Sequence, residues 1–219
     1  MCAKLKQTLY LGLDPTHYQG DGEVTHWPII QIIPRPLSDP LLQKALKRFA
    51  EYTHVIVTSK STVAILKEYL PQAGIPLAIW AAKSTLAVGK VTAQHLQACG
   101  IPPARVAGEE TAEGIIHEIR QLNLKNPHFF WPHSSKARPV IEEFLAAHAI
   151  PHTSCILYDP EVHIPGKPPE LSVYDEIIFT SPSTIDAFLE LFERFPAHAN
   201  CVPIGPVTAR YLELRRNRQ

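Results

Sequence analysis

Two stretches of this 219-residue sequence follow one pattern, and this repetition limits the possible folds more than any other feature. Apolar runs that begin at Val55 and Ile177, 122 residues apart, each end in Thr-Ser and continue into an amphipathic segment, TSKSTVAIL or TSPSTIDAF. A second pair, AVGKVTAQHL from Ala87 and PIGPVTARYL from Pro203, is 116 residues apart. A weaker third pair, TLYLGLDP and HFFWPHSS, is offset by 120 residues. These near-constant offsets predict a duplication, with two similar halves in one chain.

Each repeated unit is a short apolar run, a turn and a segment of helical periodicity, which is typical of strand–helix units in a parallel sheet. We therefore predict an α/β protein of two domains, each a parallel β-sheet flanked by helices. Ser181-Pro182 and Gly205-Pro206 place a capping residue before a proline, so helices should begin there. Apolar residues at intervals of three and four predict further helices at Asp39–Tyr52, Ala112–Leu122 and Ser135–His148.

Two proline-rich stretches interrupt the alternation of strands and helices. They span Pro28–Pro40 and Pro160–Pro169, and each adjoins an extended apolar segment, IIQII or CILY. Proline disfavours both helix interiors and central strands. We therefore predict that these stretches connect the two domains.

The charge balance argues against two classes of partner. Lysine plus arginine number 21 and aspartate plus glutamate number 21, so the chain has no overall positive field to attract nucleic acid or an anionic membrane. Residues Met1 to Gln7 contain no apolar run of signal-peptide length, and no stretch approaches about 20 apolar residues. We expect a cytoplasmic protein with neither a nucleic-acid nor a membrane partner.

Motifs for metals and cofactors are missing from the sequence. The four cysteines, Cys2, Cys99, Cys155 and Cys201, show no metal-ligand spacing, so we expect reduced thiols. The 11 histidines form no HExxH pair, and no GxGxxG loop is present. We expect no metal and no cofactor.

The full set of motifs resembles one family. VTSKSTVAIL, AVGKVTAQHL, the tyrosine of ILYDPEV, IIFTSPSTIDAF and IGPVTARYL occur in an order that is similar to the uroporphyrinogen-III synthase family. The resemblance covers nearly the whole chain. It implies two α/β domains joined by a two-stranded connection, with residues 1–35 and 160–219 forming a discontinuous domain and residues 36–159 an inserted one.

The resemblance also implies an activity. Members of this family cyclise hydroxymethylbilane, a linear tetrapyrrole with many carboxylates, to uroporphyrinogen III, with inversion of ring D and loss of water. Loss of the hydroxymethyl oxygen leaves an azafulvene, and a spiro intermediate follows from attack by the substituted carbon of ring D. On this basis we expect a cofactor-free lyase of haem biosynthesis that mainly binds and folds its substrate.

The implied substrate-binding residues are serines and threonines at helix starts, where unpaired N–H groups attract carboxylates. In the family the matching positions line the active-site cleft. They correspond here to Thr58, Ser59, Thr92, Ser181, Ser183 and Thr208. Serine and threonine at a helix start are commonly simple caps worth about 1 kcal/mol, and that interpretation stays open for each of them.

Tyr158 aligns with the family's tyrosine beside the leaving hydroxymethyl group. A phenol with a pKa near 10 is suited to donate a hydrogen bond to a departing hydroxide, so the resemblance implies an acid-type catalytic role. The alternative is an amphipathic residue that packs at a strand end beside the domain connection. Both interpretations of Tyr158 fit the sequence.

Three departures from the family pattern bear on substrate binding. Many members carry Thr-Arg-Pro after the first strand, where this chain reads Gly12-Leu13-Asp14-Pro15, and an arginine is frequent where His133 stands. Both changes remove a cation that could bind carboxylates. The family also usually continues beyond the last helix, so we expect a shortened C-terminal domain in a sequence that ends at Gln219.

Two other function classes remain compatible with these departures. One is a tetrapyrrole-binding module of the same fold without efficient cyclisation, although the presence of Tyr158 and Thr208 favours the enzyme. The other is a cytosolic two-domain sensor of a small ligand. In each case we expect a monomer.

Overall fold

A computed structural model describes residues 5–218, so Cys2 lies outside the described residues. The strands, in chain order, are β1 Gln7–Tyr10, β2 Glu23–His26, β3 Ile30–Pro34, β4 His54–Val57, β5 Ser84–Ala87, β6 Arg105–Val106, β7 Phe129–Ser134, β8 His152–Val162, β9 Glu176–Phe179 and β10 Asn200–Pro203. The helices are α1 Pro40–Lys47, α2 Lys60–Gln72, α3 Leu77–Ala81, α4 Lys90–Ala98, α5 Ala112–Arg120, α6 Val140–Ala147, α7 Pro182–Phe192 and α8 Pro206–Arg216. Cys99, Cys155 and Cys201 are free thiols.

The chain divides into two compact units, and the first comprises residues up to Ile32 together with those from Pro160 onward. Its four-stranded sheet has the order β10-β9-β1-β2, and all neighbours are parallel. Ile177 and Phe179 of β9 pack with Phe188 of α7, and all three are fully buried. Full burial of such a side chain is worth about 1.5–3 kcal/mol, so this contact anchors α7 to the sheet.

The second unit comprises Ile33–Asp159. Its six-stranded sheet has the order β3-β8-β7-β4-β5-β6. The five strands from β8 to β6 are parallel. One core cluster joins Ile56 and Trp131 on the sheet to Ile115 of α5 and Leu145 of α6. Parallel sheets flanked by helices are thus confirmed in both units.

The chain passes from the first unit to the second within β3 and returns within β8. The Arg35 N–H donates to Leu157 O (2.9 Å) and the His163 N–H donates to Ile29 O (2.8 Å), so the two strands run antiparallel. This pair is the two-stranded connection that the family resemblance implied.

One strand–helix unit of the predicted repeat is missing. β1 pairs directly with the parallel strand β2, and residues 11–22 connect them without a helix. Three glycines and a proline in this segment disfavour a helix. The connection is held instead by Tyr18, which donates to Glu176 (2.9 Å), while Lys6 forms an ion pair with the same carboxylate (2.6 Å).

Three predicted helices have different bounds in the structure, and the one predicted over Ala112–Leu122 ends at Arg120. The helix predicted from Ser135 begins only at Val140, because Pro139 disfavours a helical conformation in the residue before it. The helix predicted over Asp39–Tyr52 is α1 followed by a short 3₁₀ turn, Phe49–Glu51, and Asp39 caps α1 through its side chain. The helices that begin at Pro182 and Pro206 are as predicted.

Candidate active site

The carboxyl edge of the six-stranded sheet brings together polar residues from distant parts of the sequence. The strands from β8 to β6 are parallel, so their carboxyl ends meet at one edge. Ser59 follows β4 and begins α2, while Tyr158 pairs with Ser134 across β7 and β8. A register shift between His133 and Ser134 advances β8 by one residue at this point.

Tyr158 and Ser59 are directly hydrogen-bonded. The Tyr158 hydroxyl lies 2.9 Å from Ser59 Oγ. Ser59 Oγ also accepts the backbone N–H of Thr62 (3.0 Å) and so caps α2. Tyr158 is 7% exposed, and this burial fixes the ring opposite Ser134, the last residue of β7. The Tyr158 ring is thus packed inside the second unit, and its hydroxyl lies in a polar cluster with Ser59.

The surroundings of Tyr158 keep it protonated. Burial raises the pKa of its phenol above the ordinary 10.0, because a buried phenolate loses hydration. The nearby hydroxyls of Ser59, Thr62 and Ser134 oppose this shift, because donors beside the oxygen stabilise the phenolate. At neutral pH Tyr158 is a phenol and can act as a hydrogen-bond donor.

Two other predicted residues lie at this edge. Thr58 directly follows β4 and is partly exposed. Thr92 lies in the first turn of α4 but is only 6% exposed. The first N–H of α4, that of Lys90, already donates to the Glu110 carboxylate (3.0 Å). A carboxylate of the protein itself therefore occupies this helix start.

The carboxyl edge of the four-stranded sheet carries the remaining predicted residues. Ser181 caps α7 through its side chain, which accepts from Thr184 N (3.3 Å), and Thr184 Oγ1 accepts from Ser181 N (3.2 Å). Ser183 is partly exposed in the first turn of α7. Gly205 precedes α8 with a φ of 81°, a conformation that favours glycine. Thr208, in the first turn of α8, is 3% exposed, so little of its side chain reaches the surface of this unit.

Within residues 5–218, no group of three or more histidine, cysteine or acidic side chains is arranged to hold a metal ion. In the same part of the chain, every helix is too short or too polar to cross a membrane.

Comparison with known proteins identifies the family to which this chain belongs. Residues 17–217 match the family model described as "Uroporphyrinogen-III synthase HemD". The chain belongs to this family. The family prediction made from the motifs is thus confirmed.

A curated relative of the HemD family is longer than this chain. The "Porphyrin biosynthesis protein HemD" of Ruminiclostridium josui is 26% identical over 216 residues. The match covers 94% of this chain but only 40% of that protein. The chain therefore spans less than half the length of this curated relative.

Solved structures named as members of the same family share the fold. The uroporphyrinogen-III synthetase of Helicobacter pylori is 21% identical, with a TM-score of 0.65 and coverage of 96% of this chain and 89% of that one. A mutant uroporphyrinogen III synthase of Thermus thermophilus is 18% identical, with a TM-score of 0.64 and coverage of 95% and 88%. These likenesses confirm the predicted α/β fold class.

His133, which stands where HemD family members often carry an arginine, supplies no positive charge. Its Nδ1 lies 2.8 Å from Ser134 O and therefore donates to it, so Nε2 accepts from Ser154 Oγ (2.9 Å). The ring stacks on Trp131 at 4.1 Å, and burial lowers its pKa. The imidazole is neutral and both of its nitrogens are engaged.

The segment after β1, where many members carry Thr-Arg-Pro, is built around backbone contacts. His26 Nε2 lies 2.8 Å from Gly12 O, and the Tyr10 hydroxyl donates to Asp14 O (2.9 Å). A Cβ at Gly12 would lie 2.5 Å from a side-chain carbon of Thr180, so a larger residue there requires the side chains of Thr180 and Tyr10 to shift. This segment offers a carboxylate, that of Asp14, in place of the family's arginine.

Proposed function

We propose that this chain is a uroporphyrinogen-III synthase, which converts hydroxymethylbilane to uroporphyrinogen III and water in haem biosynthesis. The single observation that carries the proposal is the match of residues 17–217 to the uroporphyrinogen-III synthase HemD family. The proposal keeps the monomeric state and the cytoplasmic location expected from the sequence. Size-exclusion chromatography with light scattering tests the first of these.

The proposed chemistry needs a donor for the leaving hydroxyl. As the C–O bond of the hydroxymethyl group breaks, the oxygen takes the bonding pair and Tyr158 donates its hydrogen bond to it. The azafulvene that remains forms a carbon–carbon bond with the substituted carbon of ring D. The resulting spiro intermediate fragments and recloses with ring D inverted, and the proton finally lost from the ring carbon balances the departing hydroxide as water. The location of the buried, protonated Tyr158 at a carboxyl edge supports this role.

The substrate carboxylates require donors at several points. Helix starts at the carboxyl edge of each sheet supply unpaired N–H groups, and hydroxyls accompany them. Thr58, Ser59, Ser181 and Ser183 are partly exposed, whereas Thr92 and Thr208 are buried. We propose substrate-binding roles for all of these residues.

A bacterial strain without its own uroporphyrinogen-III synthase tests the proposal. Expression of this chain should restore growth without added haem. Tyr158→Phe at the same protein level should restore it more slowly, because only the donor is lost. Failure of the folded wild-type chain to restore growth would contradict the proposal.

A further inference from the structure

Ser59 is the central member of a chain of three hydroxyls. Its Oγ lies 3.0 Å from Thr62 Oγ1 and 2.9 Å from the Tyr158 hydroxyl. The same oxygen accepts the Thr62 backbone N–H at 3.0 Å. Thr62 is fully buried and Tyr158 is 7% exposed, whereas Ser59 between them is partly exposed, so burial limits access of water mainly at the two outer hydroxyls.

Counting donors and acceptors leaves two possible directions for the hydrogen bonds among the three hydroxyls. A hydroxyl has one proton to donate and two lone pairs that accept. If Thr62 Oγ1 donates to Ser59, one lone pair of Ser59 Oγ accepts the Thr62 O–H and the other accepts the Thr62 backbone N–H. The Ser59 proton then points to the Tyr158 oxygen. The Tyr158 proton is then not used by Ser59, so it can be donated to a ligand in competition with the nearby Ser134 hydroxyl. In the reverse arrangement Tyr158 donates to Ser59, and no phenolic proton remains for the substrate.

The duplicated half of the chain shows that capping alone does not need this arrangement. Ser181 caps α7 as Ser59 caps α2, and Thr184 corresponds to Thr62. Thr184 Oγ1, however, accepts from the backbone N–H of Ser181 and donates to Ser181 O (2.7 Å). Among residues 5–218, no tyrosine hydroxyl is bonded to Ser181. The hydroxyl contact between Ser59 and Thr62 thus occurs in the motif that also contacts Tyr158, and it is absent from the motif that does not.

We propose that Ser59 is a positioning residue: it donates its proton to the Tyr158 oxygen, so that the Tyr158 proton points to the leaving hydroxyl of the substrate. This inference rests on the proposed synthase activity. For Ser59 this role replaces the direct binding of a substrate carboxylate, because its proton and both lone pairs are already engaged by Tyr158 and Thr62. Thr62 supports the same direction by donating to Ser59, and hydrogen bonds aligned in one direction strengthen one another.

A double-mutant cycle tests the proposal by kinetics. Ser59→Ala should lower kcat about 3- to 10-fold and change KM little. In a Tyr158→Phe background the same substitution should have no further effect on kcat, because its effect passes through the phenol. Equal losses in both backgrounds would show that Ser59 acts on the substrate directly and would overturn the proposal. A wild-type chain that forms no type III product would instead overturn the proposed function.

Three variants separate positioning from loss of the helix cap. Thr111→Ala removes a cap of the same kind from α5, where Thr111 Oγ1 accepts from Gly114 N (3.0 Å), and should leave kcat unchanged. Ser59→Thr keeps both the cap and the donor, and should retain most of kcat. Thr62→Val keeps the backbone N–H that Ser59 caps but removes the first hydroxyl of the chain. It should lower kcat about 2- to 5-fold, and an unchanged kcat would contradict the direction proposed.

A measurement without substrate gives an independent readout. With tyrosine labelled by ¹³C at the ζ carbon, the resonance that disappears in Tyr158→Phe reports the ionisation of Tyr158. Donation by Ser59 stabilises the phenolate, so Ser59→Ala should raise the pKa of Tyr158. An unchanged or lower pKa would show that Ser59 does not donate to Tyr158, whatever the activity of the chain.

Discussion

The Tyr158 hydroxyl lies 2.9 Å from Ser59 Oγ, although 99 residues separate the two in the sequence. The parallel order of β4, β7 and β8 produces this contact, because it brings the carboxyl ends of these strands to one edge. The donor proposed for the leaving group is thus held by the cap of a neighbouring helix. Its position depends on the fold of the whole second unit.

Tyr158→Phe removes only the phenolic hydroxyl. We expect kcat to fall about 10- to 100-fold with little change in KM, since a hydrogen bond to a charged group is worth about 1.5–3 kcal/mol. Tyr52→Phe is the matched control: Tyr52 is 2% exposed and its hydroxyl donates to Ala45 O (3.0 Å). That variant should lose about 1 kcal/mol of stability and keep kcat. Steady-state kinetics at equal concentrations of folded protein measure both effects. Equal kcat in the two variants would rule out the catalytic role of Tyr158.

The pH dependence of kcat reports the protonation of Tyr158. Burial raises its pKa above the ordinary 10.0, so the donor form persists through neutral and mildly alkaline pH. We expect no loss of kcat from this group between about pH 7 and 9.5. A fall in kcat that follows a group with a pKa near 8, and that is absent in Tyr158→Phe, would contradict the assignment.

The same shift affects stability at high pH. The folded pKa lies above the unfolded value, so the contribution of Tyr158 is fully present below about pH 10 and is lost as the pH rises through the folded value. Tyr158→Phe should therefore make the free energy of unfolding less sensitive to pH above about 10. Urea unfolding at several alkaline pH values measures this difference. An identical pH dependence in both proteins would show that Tyr158 does not titrate differently in the folded state.

Thr208→Val tests whether a buried hydroxyl in α8 binds a substrate carboxylate. The side chain is 3% exposed, so valine keeps its packing but removes the donor. We expect KM to rise about 10-fold or more with kcat nearly unchanged, because the lost contact is equal in ground and transition states. Thr85→Val is the control, since Thr85 is equally buried and accepts from Trp80 Nε1 (3.2 Å). Wild-type KM in folded Thr208→Val would reduce Thr208 to a packing residue.

Glu110→Ala tests the start of α4. The Glu110 carboxylate accepts the Lys90 N–H at 3.0 Å, and a Cβ at Gly89 would collide with it. Removal of this carboxylate should lower the free energy of unfolding by about 1 kcal/mol, because the start of α4 loses its cap. It should also lower KM, because a substrate carboxylate can then bind the Lys90 N–H without competition from Glu110. Glu109→Ala is the neighbouring control and should leave KM unchanged. A higher KM in Glu110→Ala would indicate that α4 does not bind the substrate in this way.

The sequence predicted the parts of the fold that local chemistry determines. The Thr-Ser motifs located two strand ends and the caps Ser59 and Ser181, because a short apolar run followed by a capping residue has few alternatives. The same reasoning failed after β1, where a loop held by the distant residue Glu176 replaces the helix. The helix predicted from Ser135 begins five residues later, at Val140, because Pro139 disfavours a helical conformation in the residue before it.

The site was predictable only in part. Thr62 could have been noticed, since it recurs as Thr184 in the second motif. The contact between Ser59 and Tyr158 could not, because it depends on strand order and on the register shift between His133 and Ser134. The role of Glu110 was also missed, because a cap 20 residues away in the sequence leaves no local pattern.

Conversion of hydroxymethylbilane by the purified chain tests the central claim most directly. Freshly made hydroxymethylbilane is incubated with increasing amounts of the protein, and the oxidised porphyrin isomers are resolved by chromatography. Spontaneous closure gives the type I isomer, so the fraction of type III measures catalysis with inversion of ring D. We predict that this fraction rises with protein concentration until type III dominates, and that Tyr158→Phe requires about 10- to 100-fold more protein for the same fraction. Type I product alone, at every concentration of folded wild-type protein, would contradict the account.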